Sequence, residues 1–302
     1  MSASPLSPSV ARSMWAAAEP FALVGLASPE AMAAIEVIGV PRKAAFLALR
    51  GAPMGRASAS VVAAAFHAFP RSRFEQHLDP VWEVTTPLAV VEATHTSIPV
   101  MAARIFGDSV DGGALRSVGD LLVATVAALD VAGRPLAAAN QAVVPPAEPW
   151  ARLWRAWTTL REYRGDGHVA ALVASDLDVP EAQVLSATWG SDRYDIDMLR
   201  ATRRLDDDVW SSAQAALHVR GLLDRAGALT ASGRALREDI ELRTDQACMR
   251  AWSRFTTDEL RTIFDFTSAL SAQVIESGGM RAATAVGAPW PPPALELVGH
   301  TR

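Results

Sequence analysis

The sequence predicts a mainly α-helical protein of two domains, the second of which contains a helix, a small two-stranded wing and a further helix. Three observations carry this. Ala-rich segments with apolar residues three and four apart dominate, and period-two alternation is scarce. The chain of 302 residues is long enough for two domains. A run with three prolines, Val143-Val144-Pro145-Pro146-Ala147-Glu148-Pro149, stops any helix near its middle.

The elements follow in order. Met1 to Ala11 is rich in Ser and Pro and lacks the basic and apolar regions of a secretory signal, so residues 1–15 are expected to be a disordered leader. Ser28-Pro29-Glu30 reads as an N-cap, a first-turn proline and an acidic residue opening a helix to Ile38. Further helices are expected over Arg42 to Leu49, Ser58 to Phe69, Phe74 to His77, Asp79 to Thr86, Leu88 to Phe106 with a bend near Pro99, Ser117 to Asp130, and Pro135 to Asn140. These make a helical domain over 16–147. The second domain, 148–285, opens on a helix with Trp150, Trp154 and Trp157 on one face, a packing seam by the simplest reading. Gly165 is expected to break that helix, with Asp166 capping the next, and Pro180 to start a third. Residues 286–302, with Pro289-Trp290-Pro291-Pro292-Pro293, read as a non-helical tail onto which Trp290 could anchor.

Composition narrows the function classes. The net charge of -5, from 33 acidic and 28 basic residues, gives the molecule as a whole no footprint for nucleic acid. Charged residues and prolines interrupt every apolar stretch before the ~18 residues a membrane span needs, so no membrane partner is expected. One cysteine, Cys248, excludes an intramolecular disulfide and a cysteine-rich zinc site and suits a reducing cytoplasm.

From Asp206-Asp207-Asp208 an amphipathic helix runs to Arg220-Gly221-Leu222-Leu223. Arg225-Ala226-Gly227-Ala228 reads as a tight turn, Leu229-Thr230 as a returning strand, and Ala231-Ser232-Gly233-Arg234-Ala235-Leu236 as the start of a long helix. These segments resemble the MarR-type winged-helix family, whose recognition helix passes through such an Arg-Gly-Leu-Leu segment into a wing; the resemblance covers about Trp150 to Trp252. The run Leu160-Arg161-Glu162-Tyr163-Arg164-Gly165-Asp166-Gly167-His168-Val169-Ala170-Ala171-Leu172 also resembles a helix-turn-helix family of actinobacteria over nearly the whole chain. That second resemblance implies a fold and no activity.

A DNA-reading module would present polar and basic groups to base edges and phosphates. Arg200, Arg203 and Arg204, with Ser211, Ser212 and Gln214, are the candidates. The three aspartates opposing phosphate at the start of the helix weigh against them, although they suit the helix dipole and equally read as an N-cap cluster. Regulation of this kind would require a symmetric dimer.

The densest ionisable cluster is Glu162, Arg164, Asp166 and His168. As chemistry, His168 would be a neutral base oriented by Asp166 or Glu162, in an enzyme of secondary metabolism; as structure, the same residues are paired charges and a cap. Arg161, Tyr163, Arg164, Asn140, Phe66, His67 and Arg50 are the candidate contacts for a small organic ligand in a pocket between the two halves. No metal is expected, since no second spaced histidine pair exists, and no cofactor, since the dinucleotide and phosphate-loop glycine patterns are absent; GxSxG and HExxH are absent too. The leading expectation is a small-molecule binder built on a MarR-like winged helix.

Overall fold

Proline sets where several helices begin, because its missing N–H costs nothing in the first turn. α2 (Pro29–Val37), α7 (Pro87–Phe106), α9 (Pro135–Gln141) and α10 (Pro149–Ala174) all start on one. Side chains of Ser28, Thr86 and Glu148 accept from free backbone N–H groups at three of these starts. The computed structural model describes residues 6–297, and among them are fifteen α-helices, one short 3-10 turn and no strand. The remaining N-terminal elements are α1 (Ser9–Ala27), α3 (Ala45–Gly51), α4 (Ala59–Phe66), α5 (Arg71–His77), α6 (Val81–Val84) and α8 (Gly112–Ala127). They are followed by α11 (Val179–Trp189), α12 (Ile196–Arg203), α13 (Asp207–Val219), α14 (Ala231–Trp252) and α15 (Thr257–Glu276).

α10 is the axis. α1, α4, α7, α8, α9 and α14 all pack against it, and at one crossing the Trp154 indole donates to the Ala22 carbonyl of α1 at 3.0 Å. One apolar core includes residues from Val10 to Val274. A smaller cluster joins the end of α10 to α11, α13 and α14 through Leu172, Leu185, Leu217 and Ile240.

Several expectations are corrected. Of the leader expected over 1–15, residues 1–5 lie outside the described residues, whereas 9–15 belong to α1, with Val10 and Met14 fully buried. The stretch Ser9–Val37 is long and apolar enough to cross a membrane, because alanines fill it between its few charges, yet more than half of that window is buried in the body. α10 does not break at Gly165. Gly167, two residues on, serves packing: a Cβ there would stand 3.1 Å from the Ala247 Cβ of α14 and from Arg134 Nη1.

The two-stranded wing is also absent, and with it the MarR-type resemblance. Between α13 and α14 one antiparallel bridge joins Leu223 to Leu229. The intervening turn is closed by the Asp224 carboxylate, which accepts from the Ala226 and Ala228 N–H groups, both at 2.9 Å. Thr230 then turns back, donating to the Gly221 carbonyl at 2.7 Å while capping α14 at the Gly233 N–H. Capping begins one residue after the bridge, so nothing remains to extend a ladder.

Replacing Gly167 by Leu should lower stability by about 1–3 kcal/mol through overpacking against α14. Gly165→Ala, where a Cβ meets nothing closer than 3.6 Å, should leave stability unchanged or raise it by up to ~1 kcal/mol through helix propensity. Urea midpoints of the two variants test the contrast, and equal losses would show that α10 does not tolerate a side chain at either glycine.

Candidate functional site

Residues three and four apart share a face of a helix. On α10 this puts Arg161, Arg164, Gly165 and His168 together, and all four line a cavity of about 130 Å³. Arg12, Trp15 and Glu19 of α1 line a second wall at the same spacing, and Arg237 and Glu241 of α14 a third. Arg50 at the end of α3, Trp189 at the end of α11, and Arg193 and Tyr194 beyond it complete the walls. The segment Val286 to Pro289 lies across the remaining side. It is pinned there by the Asp195 N–H donating to the Thr284 carbonyl at 3.2 Å. Gly287, with φ at +69°, rests so close on the Tyr194 ring that a Cβ would fall 2.1 Å from its Cζ.

Charge in this cavity falls into two groups. Arg50 and Arg161 sit between Glu162 and Glu19, with Arg50 Nη2 to Glu162 at 2.7 Å and Arg161 Nη2 to Glu19 at 2.9 Å. Two cations thus meet two anions. Burial alone would raise the Glu162 carboxyl, but Arg50 and Arg161 outweigh it and hold the group below the usual carboxylate range.

The second group is not balanced. Arg12, Arg164 and Arg237 share only Glu241 and Asp245: Arg12 reaches Asp245 at 2.7 Å, Arg164 reaches Glu241 at 3.1 Å and Asp245 at 3.5 Å, and Arg237 pairs with Glu241 one helical turn on. Burial raises the Asp245 carboxyl despite its neighbours. For Glu241 burial acts the same way, but Arg237 and Arg164 reverse it and keep the group ionised far below its ordinary range. Arg237 is only 4% exposed, and its Nε and Nη1 have no acceptor; Arg164 Nε has none either. Aromatic faces support these cations, with Arg164 3.8 Å from the Trp15 ring centroid and Arg193 and Arg237 at 4.3 and 4.9 Å from that of Trp189.

His168 lines the same cavity with its Nδ1 3.0 Å from Thr244 Oγ1. Loss of hydration lowers its pKa to about 3, Arg237 and Arg164 adding to the effect against Glu241, so the ring is neutral.

The expected catalytic grouping is not formed. Asp166 and Glu162 stand two and six residues before His168 on α10, on a different face of the helix. Asp166 caps the start of α9, accepting from the Ala137 N–H at 2.8 Å, and its burial raises its pKa to about 6. Glu162 is held by the two arginines already described.

The other candidates are divided. Arg161, Arg164 and Arg50 meet at the cavity. Tyr163 is buried elsewhere with Arg134 stacked 3.8 Å above its ring. Asn140 accepts from Arg155 Nη1 at 2.8 Å, and Phe66 belongs to an aromatic cluster with Phe69 and Phe74, capped by Arg50. His67 ends α4 in the left-handed region at φ 41° and does not line the cavity. Sequence reasoning missed Arg12, Trp15, Glu19, Arg237 and Glu241. A signal for two of them existed, since Arg12 and Glu19 are the only charges in α1 and stand seven residues apart, on one face.

The DNA-binding candidates do not form a surface either. Arg203 stacks 4.2 Å from the Phe69 ring centroid, Arg204 donates to Gln76 Oε1 at 2.9 Å and contacts His77, and Arg200 donates to the Leu205 carbonyl and pairs with Asp207. Ser211 and Ser212 are exposed on α13 beside Asp207 and Asp208, with Gln214 half-buried. No group of three or more residues suited to a metal occurs among the described residues.

A helix-turn-helix family matches residues 11–281, so the chain belongs to that family. No curated protein and no solved structure matches it.

Acid should destabilise the fold through its neutral histidines. His168 titrates near 3 and His95, buried against Arg155, near 4, both below the ordinary 6.5. The unfolded chain therefore takes up their protons first, and their contribution, complete above pH 6.5, is lost as pH falls toward 4 and 3. Asp166, raised to about 6, and Asp245, also raised, oppose this, while Glu162 and Glu241, both held low, add to it. Chemical denaturation across this range should show stability falling with pH, and His95→Gln, whose amide oxygen can still accept from Arg155, should flatten the slope. An unchanged slope would mean that His95 is protonated in the folded protein.

Proposed function

We propose that this helix-turn-helix family member is a binding protein for a small organic anion, held in the arginine-lined cavity beside α10, and that it works in the cytoplasm without DNA as a partner. The observation that carries this reading is the buried guanidinium of Arg237, with two donor nitrogens lacking acceptors, in a group where three arginines share two carboxylates. Leaving such donors unsatisfied costs about 1–3 kcal/mol each, and a bound carboxylate or phosphoryl group would supply the acceptors and the missing negative charge. The aromatic walls, Trp15, Trp189 and Tyr194, suit the carbon part of such a ligand. Buried Cys248, a free thiol whose burial raises its pKa to about 11, suits a reducing compartment.

DNA is disfavoured by the site chemistry: the exposed start of α13 is acidic and the nearby arginines are engaged within the chain. Purified protein should therefore show no retention of duplex DNA even at low salt. Salt-sensitive retention that depends on Arg200 or Arg204 would restore a nucleic-acid role.

Arg237→Met tests the cavity. With Arg12 and Arg164 left to balance Glu241 and Asp245, this variant should be as stable as the parent or more so. Arg164→Met removes the cation that touches both carboxylates and should cost about 3–5 kcal/mol. Inorganic phosphate at millimolar concentration should raise the parent's Tm above that in chloride of equal ionic strength, and the rise should vanish in Arg237→Met. Equal rises in both proteins, or none in the parent, would remove the anion-binding reading.

A further inference from the structure

A hydroxyl group has one proton to give, and that fact fixes the state of His168. Thr244 lies on α14 and its Oγ1 donates to the Ile240 carbonyl at 2.7 Å, one turn back along the helix. The same oxygen is 3.0 Å from His168 Nδ1. With the threonine proton on that carbonyl, Oγ1 accepts from the ring, which assigns the hydrogen to Nδ1. A neutral imidazole has one N–H, and Nε2 is left as a bare lone pair. No hydrogen bond reaches Nε2 among the described residues. The charged and titratable groups around the ring are Glu241 and Arg237 of α14, Arg164 of α10 and His67 at the end of α4, and three of the four are cationic or neutral.

The cavity therefore presents two opposite demands on one ligand. Arg237 and Arg164 line the cavity and carry buried donors without acceptors, and His168 lines it with no donor to its Nε2 among the described residues. We infer that the ligand is an oxyanion that keeps an O–H beside its charge, its charged oxygens on Arg237 and Arg164 and its hydroxyl donating to His168 Nε2. A hydroxy acid and a phosphoryl group that retains a proton share this chemistry; a fully deprotonated oxyanion lacks it. This rests on the anion-binding reading and adds a rule of selection to it. An oxyanion without a proton would place a lone pair against the lone pair of Nε2, and a buried site of this kind rejects a partner that cannot complete its hydrogen bonds far more strongly than one of the wrong size.

Inorganic phosphate and sulfate isolate the rule. At about pH 8 both are tetrahedral dianions of similar size, and only phosphate carries an O–H. Isothermal titration of the full chain with each, at matched ionic strength, should give at least roughly tenfold tighter binding of phosphate. In His168→Gln and His168→Asn the amide can turn its NH2 toward the ligand, so sulfate should gain, phosphate should lose, and the ratio should fall to about one. Agreement of the two variants, with melting curves like the parent's, separates this from a folding defect. Equal affinity of the parent for the two anions, or a ratio unchanged in both variants, would overturn the donor rule and leave the anion site standing. Failure of either anion to bind the parent would overturn both.

Discussion

A helix that carries Arg155, Glu162, Arg164 and Asp166 through the middle of an apolar body can be buried only if each charge meets a partner there. The rest of the fold is arranged to supply them. α3 contributes Arg50 to Glu162, α1 contributes Glu19 to Arg161, α9 contributes its N-terminal amides to Asp166, α7 and α9 contribute His95 and Asn140 to Arg155, and α14 contributes Glu241 and Asp245 to Arg164. Apolar packing brings these helices together, but it does not dictate their register. Removing one partner from a buried pair costs several kcal/mol because the other charge is stranded. The polar contacts of α10 therefore select one arrangement of helices from the many that would bury the same leucines and tryptophans.

That matching is incomplete at several buried atoms, Arg203 Nε and Asp245 Oδ1 among them, and one such group borders the cavity. Glu162 has two cations within the chain and Asp166 the amides of α9. Around Glu241 and Asp245 the third guanidinium, Arg237, has only part of its donors used. An apolar residue there would avoid the cost. Unsatisfied buried donors cluster at binding sites for the same reason that they are rare elsewhere, since only a ligand repays them. The segment Val286 to Pro289 then sets the size of the space, because Gly287 is in direct contact with the Tyr194 ring and the cavity ends at that contact.

Much of this was legible locally and little of it at long range. Ser28 with Pro29 marked the start of α2, and Pro135 that of α9, because those signals act within one turn. The first turns of α1 fall in the segment expected as a disordered leader, since the Ser-Pro start before α1 resembles unstructured chain, and α12 and α15 have no counterpart among the expected helices. Gly165 is the residue expected to break α10. Glycine interrupts a helix when its backbone entropy goes uncompensated, and here close approach of α14 and Arg134 compensates it at Gly167. The cavity face of α10 could have been read from spacing alone, because three- and four-residue steps join Arg161, Arg164 and His168 and exclude Glu162 and Asp166. Its partners Glu19 on α1 and Glu241 on α14 are 142 and 77 residues away along the chain from Arg161 and Arg164, and no local periodicity reports such a meeting.

The Arg-Gly-Leu-Leu to Leu-Thr segment shows why a motif can be present without the structure it usually signals. Gly221 turns the chain, Leu222 and Leu223 bury against α11 and α14, and Thr230 caps α14. Each of those roles needs the residue that is there, and none needs a strand. α11 and α13 bury Leu185 and Leu217 between them, while the outer side of α13 carries aspartate, serine and alanine where a phosphate-facing surface needs cations. The arginines that could have supplied them turn the other way, Arg203 onto Phe69 and Arg204 onto Gln76, and so fasten α12 to the α4–α5 aromatic cluster.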